Sequence, residues 1–229
     1  MLIDTTFDFR ADSTTGDPDT GSPTLKAYQR YLYSKPLPNG EIMVLDKNLR
    51  WKDFRFSSDS ILHDFHYWPS YQHIISAVEP AVLKRFHDAD YTIGGEILFP
   101  CYRVPGVMSI NQARGCCHQI RDRIDLTLEC IRRHYLGQKS PLTKCLTGYK
   151  PFFDLFVDFR GYVDFFHMQD LVTADYGSIR FLCWFDGFES TFPLPRSVEE
   201  YPAYIDQVLS FNAKRNERIA TWCRLQEKG

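Results

Sequence analysis

Apolar residues return every three or four positions in three long stretches, and each stretch opens on a helix-starting signal. Ser22 followed by Pro23 reads as an N-cap with a first-turn proline and predicts a helix over 22–36, closed by the Pro-Leu-Pro-Asn-Gly turn. Ser109-Ile-Asn-Gln has capping-box spacing and predicts a central helix over 109–137, with Gly137 as its stop. At 1.5 Å per residue that helix would run about 40 Å and form the spine of the fold. Ser197-Val-Glu-Glu is a second capping box and predicts a terminal helix over 197–226. Shorter helical patterns fall over 71–86, after Ser140-Pro141, and as turns through the aromatic stretches 152–159 and 162–171, which should lie in the core.

Strand patterns are fewer. Phe7, Phe9 and Ala11 alternate with Asp8, Arg10 and Asp12, the period of a strand with one apolar and one charged face. Short strands are expected around 43–45 and 54–56, and buried strands over 91–100 and 179–185. The segment 91–100, YTIGGEILFP, is interrupted by Gly94 and Gly95, which signals a bulge or the close approach of another backbone. The expected fold is a single α+β domain over 1–229, with two long helices and several shorter ones packed on a small aromatic-rich sheet.

With 44% hydrophobic and 15% aromatic residues, the 229-residue chain can bury a substantial core. Its net charge of -2 supplies no general attraction to nucleic acid or to an anionic membrane. The seven cysteines form no C-x-x-C pair, which fits neither a disulfide framework nor a zinc knuckle. Cys116 and Cys117 are adjacent, and Cys117 falls on the apolar stripe of the central helix. The N-terminus has neither secretory nor transit character, and no apolar run is long enough to span a bilayer. A cytoplasmic setting is expected.

Candidate chemistry sits mainly on two helices. Beside the central stripe of Ala113, Cys117, Ile120, Ile124, Leu128, Ile131 and Tyr135 runs a second row: Arg114, His118, Arg121, Asp125, Glu129 and Arg132. Such a row can grip an anion through the planar guanidinium fork while Asp125 or Glu129 orients it, or it can be an ordinary salt-bridged flank. On the terminal helix, Tyr201, Ile205, Val208, Asn212, Arg215, Ile219 and Trp222 form one stripe, with Asn216 beside it. Asn212 and Arg215 therefore turn inward and need dedicated partners: Asp125, Glu129, the charged face bearing Asp8, Arg10 and Asp12, or a bound anion. A role in register or dimer pairing is the alternative.

Other constellations are thinner. Arg160 and His167 have the spacing of the Arg-to-His pair of HEPN ribonucleases, although the predicted strands oppose that all-helical fold. His63, Asp64, His66 and His73 read either as a metal site or as scattered surface histidines, and their lack of periodicity favours the latter. Asp12, Asp17 and Asp19 read as turn residues more readily than as cation ligands. No P-loop, serine elbow or dinucleotide fingerprint is present, and neither a metal nor a cofactor is expected.

The blocks YTIGGEILFP, SINQARG, IRDRIDLTLECIRRHYLGQKSPL and FRGYVDFFHMQDLV resemble a family of bacterial proteins known only as a domain of unknown function. The resemblance spans almost the whole chain; it implies a single cytoplasmic domain and no activity. The residues themselves lead to the expectation of a small anionic ligand of nucleotide or phosphate type, bound in one cleft where the two helices' polar rows converge. Arg10, Arg114, Arg121 and Arg215 would hold the anion, Asn111 would contact it at a helix N-terminus, and Asn212 and Asn216 would read hydrogen bonds. If the cleft is catalytic, Asp125 is the base. A non-enzymatic interaction protein or homodimer, and a ribonuclease, are the alternatives.

Overall fold

The computed structural model describes residues 2–190 and 192–227. We number the longer helices α1 (Pro23–Tyr33), α2 (Pro80–His87), α3 (Ile110–Cys116), α4 (Ile124–Tyr135), α5 (Phe159–Phe165) and α6 (Glu200–Gln226). The strands are β1 (Arg50–Trp51), β2 (Phe54–Ser60) and β3 (Glu96–Pro100). They form one antiparallel sheet in the order β1-β2-β3, with Phe56 opposite Pro100, Ser58 opposite Leu98 and Ser60 opposite Glu96. All five residues of β3 are buried, so the polar end of β2 is paired to a strand that has no solvent face. The fold is α+β, and among the described residues no helix is long and apolar enough to cross a membrane.

Ser22 and Ser109 cap their helices as expected, whereas α6 starts at Glu200, three residues after Ser197, whose bond lies in the turn ahead of it. Ser22 Oγ accepts from Leu25 N at 3.0 Å, Ser109 Oγ from Gln112 N at 3.2 Å and Ser197 Oγ from Glu200 N at 3.3 Å. The aromatic stretch lies in the core as expected. Phe152, Phe156, Tyr162 and Phe166 interlock, with the Tyr162 and Phe166 rings 4.8 Å apart and those of Phe152 and Phe156 5.1 Å apart.

Several expected elements differ. Residues 7–11 form no strand: Asp8 accepts from Arg10 N, and Phe9–Ala11 closes as a 3-10 turn, a local side-chain bond displacing a ladder. No strand forms at 43–45, and the helix expected over 71–86 is cut by Pro80, which starts α2 afresh. Residues 179–185 keep only one bridge, Val172 to Ile179, because the Leu182 amide donates to Asp125 Oδ2 at 2.9 Å instead of to a neighbouring strand.

The spine is also broken. Between α3 and α4 the chain turns through Arg121 and Asp122, both at positive φ. The cause is Arg114, which is fully buried and needs acceptors. It donates Nη2 to Asp122 O at 2.9 Å and Nε to Thr127 Oγ1 at 2.9 Å, bonds a continuous helix could not offer it.

The terminal helix turns its predicted stripe inward: Tyr201, Ile205, Val208, Asn212, Arg215 and Ile219 are all buried. The partners of Arg215 are main-chain carbonyls. It donates to Gly94 O at 2.7 Å, Glu96 O at 2.8 Å and Phe166 O at 3.1 Å, and it meets Tyr33 Oη at 3.2 Å. Asn212 donates to Ala89 O at 2.7 Å, and Asn216 Oδ1 accepts from Gly94 N at 2.7 Å. The expected partners Asp8, Arg10, Asp12, Asp125 and Glu129 take no part. The paired glycines do mark a close approach: a Cβ on Gly94 would lie 2.7 Å from the main-chain oxygen of Asn212.

Two substitutions test this node by urea denaturation. Gly94→Ala should lower stability by about 1–3 kcal/mol through overpacking against a rigid helix backbone. Arg215→Met should cost about 3 kcal/mol or more, because it strands buried carbonyls. Unchanged midpoints for both would remove the node from the fold's support.

Candidate metal centre

A cavity of about 240 Å³ opens beside the polar end of the sheet, lined by Arg10, Asp19, Asp59, His63, Asp64, His66, Tyr67, His87 and Asp90 among others. Each side chain arrives by a local rule. Asp59 is on β2, where the strand's alternation turns it away from Ser58 and Ser60. Ile61 N donates to Gly95 O at 2.9 Å, which carries the sheet's pairing one residue past β2 and fixes the start of the segment 61–68. That segment is held from behind by α6: Tyr204 Oη donates to His63 O at 2.8 Å and Tyr201 Oη to Asp64 O at 2.7 Å. His87 closes α2, and Asp90 follows in the next turn. Arg10 reaches over from the first turn of the chain and donates to His87 O at 2.5 Å.

The centre of the arrangement is Asp64, whose side chain is 2% exposed. Its Oδ1 lies 2.7 Å from His66 Nδ1, and its Oδ2 lies 3.3 Å from His87 Nε2 and receives no hydrogen bond. One ligating atom each from Asp64, His66 and His87 lies within 4.8 Å of the others. Cation ligands at about 2.0–2.2 Å from a shared metal stand closer than that to one another, so a small inward movement of the two imidazoles makes a site. Between Asp64 and His66 sits Phe65, fully buried at φ 61, an uncommon conformation for an aromatic residue. Its ring stacks on Tyr204 at 5.7 Å.

The surroundings are short of positive charge. The carboxyls of Asp19, Asp59, Asp64, Asp90, Glu96 and Asp122 gather around this cavity against the guanidiniums of Arg10 and Arg114. Arg114 pairs with Asp59 and, at 3.2 Å, with Asp122; Arg10 pairs with Asp8 at 2.7 Å and Asp90 at 3.4 Å. Loss of water outweighs Arg114 and pushes the Asp59 carboxyl up to about 7. Burial likewise raises Asp90 to about 6 against the pull of Arg10 and His87. Glu96 is fully buried and pushed well above the usual carboxylate range, first by burial and then by the neighbouring Asp19, itself raised by burial. Burial lowers His63 and disfavours its charged form, against the pull of Asp122. Buried oxygens of Asp19, Asp64 and Glu96 lack a hydrogen-bond donor within the chain, as does His63 Nε2.

Of the site residues expected from sequence, Arg10 and Arg114 reach this region, and Asn111 lies behind it, donating to Ser58 O at 3.4 Å. Arg121 stacks over the Trp68 ring at 4.5 Å. Asp125 forms a closed, fully buried pair with Arg123, at 2.5 Å between Nη2 and Oδ2, and lines no part of the cavity. Asn212, Arg215 and Asn216 form the separate node under Gly94. The two helices' polar rows therefore do not meet in one cleft. Of the four residues read as a possible metal set, Asp64 and His66 belong to it, His63 lines the cavity, and His73 is exposed elsewhere. His87, Asp59, Asp90 and Glu96 had no sequence signal beyond one: a polar Ser-Ser-Asp-Ser run that ends a strand.

The chain belongs to a family of unknown function (DUF6994), whose model matches residues 3–219. No curated protein and no solved structure matches it.

The raised carboxyls carry a sign that can be checked. A carboxyl whose folded pKa lies above its unfolded value near 3.8 binds more protons in the folded state, so its contribution to stability falls as pH rises through that window. For Asp90 the window runs from about 4 to about 6. Asp90→Asn removes the titration, so its stability relative to the parent should improve by about 2 kcal/mol between pH 4 and pH 7.5. Urea midpoints at the two pH values decide it, and a difference that is flat or worsens with pH would refute the assignment.

Proposed function

We propose that this chain binds a divalent cation at Asp64, His66 and His87 and, through it, binds and hydrolyses a small anionic ligand of phosphate type. The observation that carries this reading is the buried, donor-free Oδ2 of Asp64, facing the cavity within reach of His87 and on the same carboxylate as His66. Two imidazoles and a carboxylate suit zinc and the neighbouring transition metals better than magnesium or calcium, which prefer oxygen alone.

A cation also resolves the electrostatic difficulty of an anionic ligand here. A cavity walled by Asp19, Asp59, Asp64 and Asp90 repels a phosphate, whereas a dication on Asp64 turns its mouth into an acceptor for negatively charged oxygens. Arg10 sits at that mouth over the Tyr91 ring. Asp59, at about 7, is poised to give and take a proton near neutrality, with Arg114 fixing its orientation. The cation's part, when bound, is to polarise the phosphoryl oxygen. The sequence-level preference for an anionic ligand is thus kept, but moved from the helical rows to the sheet's polar end. Neither alternative gains: Asn212 and Arg215 are satisfied within the chain, and Arg160 lies over the Tyr176 ring while His167 bonds Lys35.

Calorimetric titration with zinc and manganese ions, on the parent, Asp64→Asn and His87→Ala, tests the site. Saturable binding by the parent should weaken at least about tenfold in each variant, a change of about 1.4 kcal/mol. Hydrolysis of p-nitrophenyl phosphate and of nucleotides with the bound metal should fall about 100-fold in Asp59→Asn, the usual loss for a proton carrier. A parent that takes up neither ion, or variants that bind as the parent does, would overturn the reading.

A further inference from the structure

We propose that Lys35 is a carbonyl-reactive amine, and that the cavity it lines takes a small aromatic or apolar aldehyde as a Schiff base. The cavity, about 330 Å³, lies at the end of α1 away from the acidic centre, and Pro36, Pro38, Phe165 and Trp222 form its apolar walls. Lys35 Nζ lies 2.7 Å from Phe165 O and 3.0 Å from His167 Nε2. The rings of Phe165 and Trp222 flank it, with centroids at 4.6 and 5.0 Å.

The ring faces favour an ammonium, but the hydrogen-bonding partners suit an uncharged amine. An ammonium has three N–H bonds to place, and here it meets two acceptors and no carboxylate; an amine uses both its N–H bonds on Phe165 O and His167, with the proton of His167 on Nδ1, and keeps its lone pair. Of the charged groups that face it, Arg215 on α6 lowers it and the Cys223 thiol on α6 works in the opposite direction. His167 is held neutral by burial and by Lys35. Asp164 on α5 lines the same cavity, but its Oδ1 accepts from Gln169 and Tyr176 and makes no ion pair with Lys35. Burial first, then Arg215, lowers Lys35 from 10.5 to about 7, so about half of it carries a free lone pair at neutral pH. Desolvation of a lysine beside another cation is a recognised route to an amine nucleophile. His167 is held for this contact at φ 57, where its main chain turns back from α5.

The step balances without a further reagent. The Nζ lone pair forms the C–N bond to the carbonyl carbon, and the nitrogen's protons pass to the carbonyl oxygen. The C–O bond then breaks, and water leaves as the C=N bond forms. Benzaldehyde with sodium cyanoborohydride at pH 7, followed by proteolysis and mass spectrometry, reads the outcome. The reduced benzyl adduct should form on Lys35 at least about tenfold faster than on Lys84 and Lys150, which are 73% and 62% exposed. Lys35→Met should lose that adduct and leave the others unchanged. Labelling of Lys35 no faster than the two exposed lysines overturns the proposal. The comparison among lysines of the unaltered chain holds whether or not the variant folds, and it is independent of the cation site.

Discussion

A single guanidinium joins the parts of this fold that carry chemistry. Arg215 has no solvent exposure, and its donors tie α6 to the main chain of Gly94 and Glu96, to the turn at Phe166 and to Tyr33 on α1. A buried cation satisfied by carbonyl dipoles rather than a carboxylate gives up little geometry to mobile side chains, because every acceptor but the Tyr33 hydroxyl is fixed in backbone. The start of β3 is therefore clamped to the terminal helix. Glu96 enters the sheet from that clamp, opposite Ser60, and the segment bearing His63 and Asp64 is held by Tyr204 and Tyr201 from the same helix.

From this frame the acidic centre follows. β2 ends in polar residues but pairs with a strand that is wholly buried, so Asp59 and Glu96 lie where water is scarce. Two guanidiniums stand against six carboxyls, and burial, more than the neighbouring charges, pushes Asp59, Asp90, Asp19 and Glu96 upward. A shift held in place by shortage of water is reversed by a cation, since a dication favours the ionised form that burial disfavours. The same physics that makes these groups reluctant acids makes the site receptive to metal.

How much of this was legible in the sequence depends on range. Caps are local, and Ser22, Ser109 and Ser197 announced their bonds. The inward stripe of α6 was legible for the same reason, since helical period is a property of one segment. Its partners were not, because they are carbonyl oxygens, which leave no mark in a sequence. The centre itself is assembled from the first turn, β2, the segment after it and α2, which periodicity cannot relate. Asp64 and His66 were in view, but His87 lies twenty-one positions beyond His66 and joins them only through tertiary packing.

Four of the eight non-glycine residues at positive φ among the described residues fall where polar groups converge. Phe65 stands at positive φ between Asp64 and His66, Arg121 and Asp122 where Arg114 finds its acceptors, and His167 at the amine of Lys35. Each such non-glycine residue costs about 1–3 kcal/mol and persists only where its surroundings over-determine it. For Phe65 the surroundings are visible: the ring is fully buried against Tyr204 and Tyr71, while the main chain on its N-terminal side is gripped by two tyrosine hydroxyls. Relaxing Phe65 to an extended conformation would leave Asp64 and His66 on one face but undo the turn in which His66 N donates to Asp64 Oδ1 at 3.1 Å. Two residues on a regular strand would share that face too, but only the bend at Phe65, held by the aromatic packing of α6, brings His66 Nδ1 to 2.7 Å from Asp64 Oδ1.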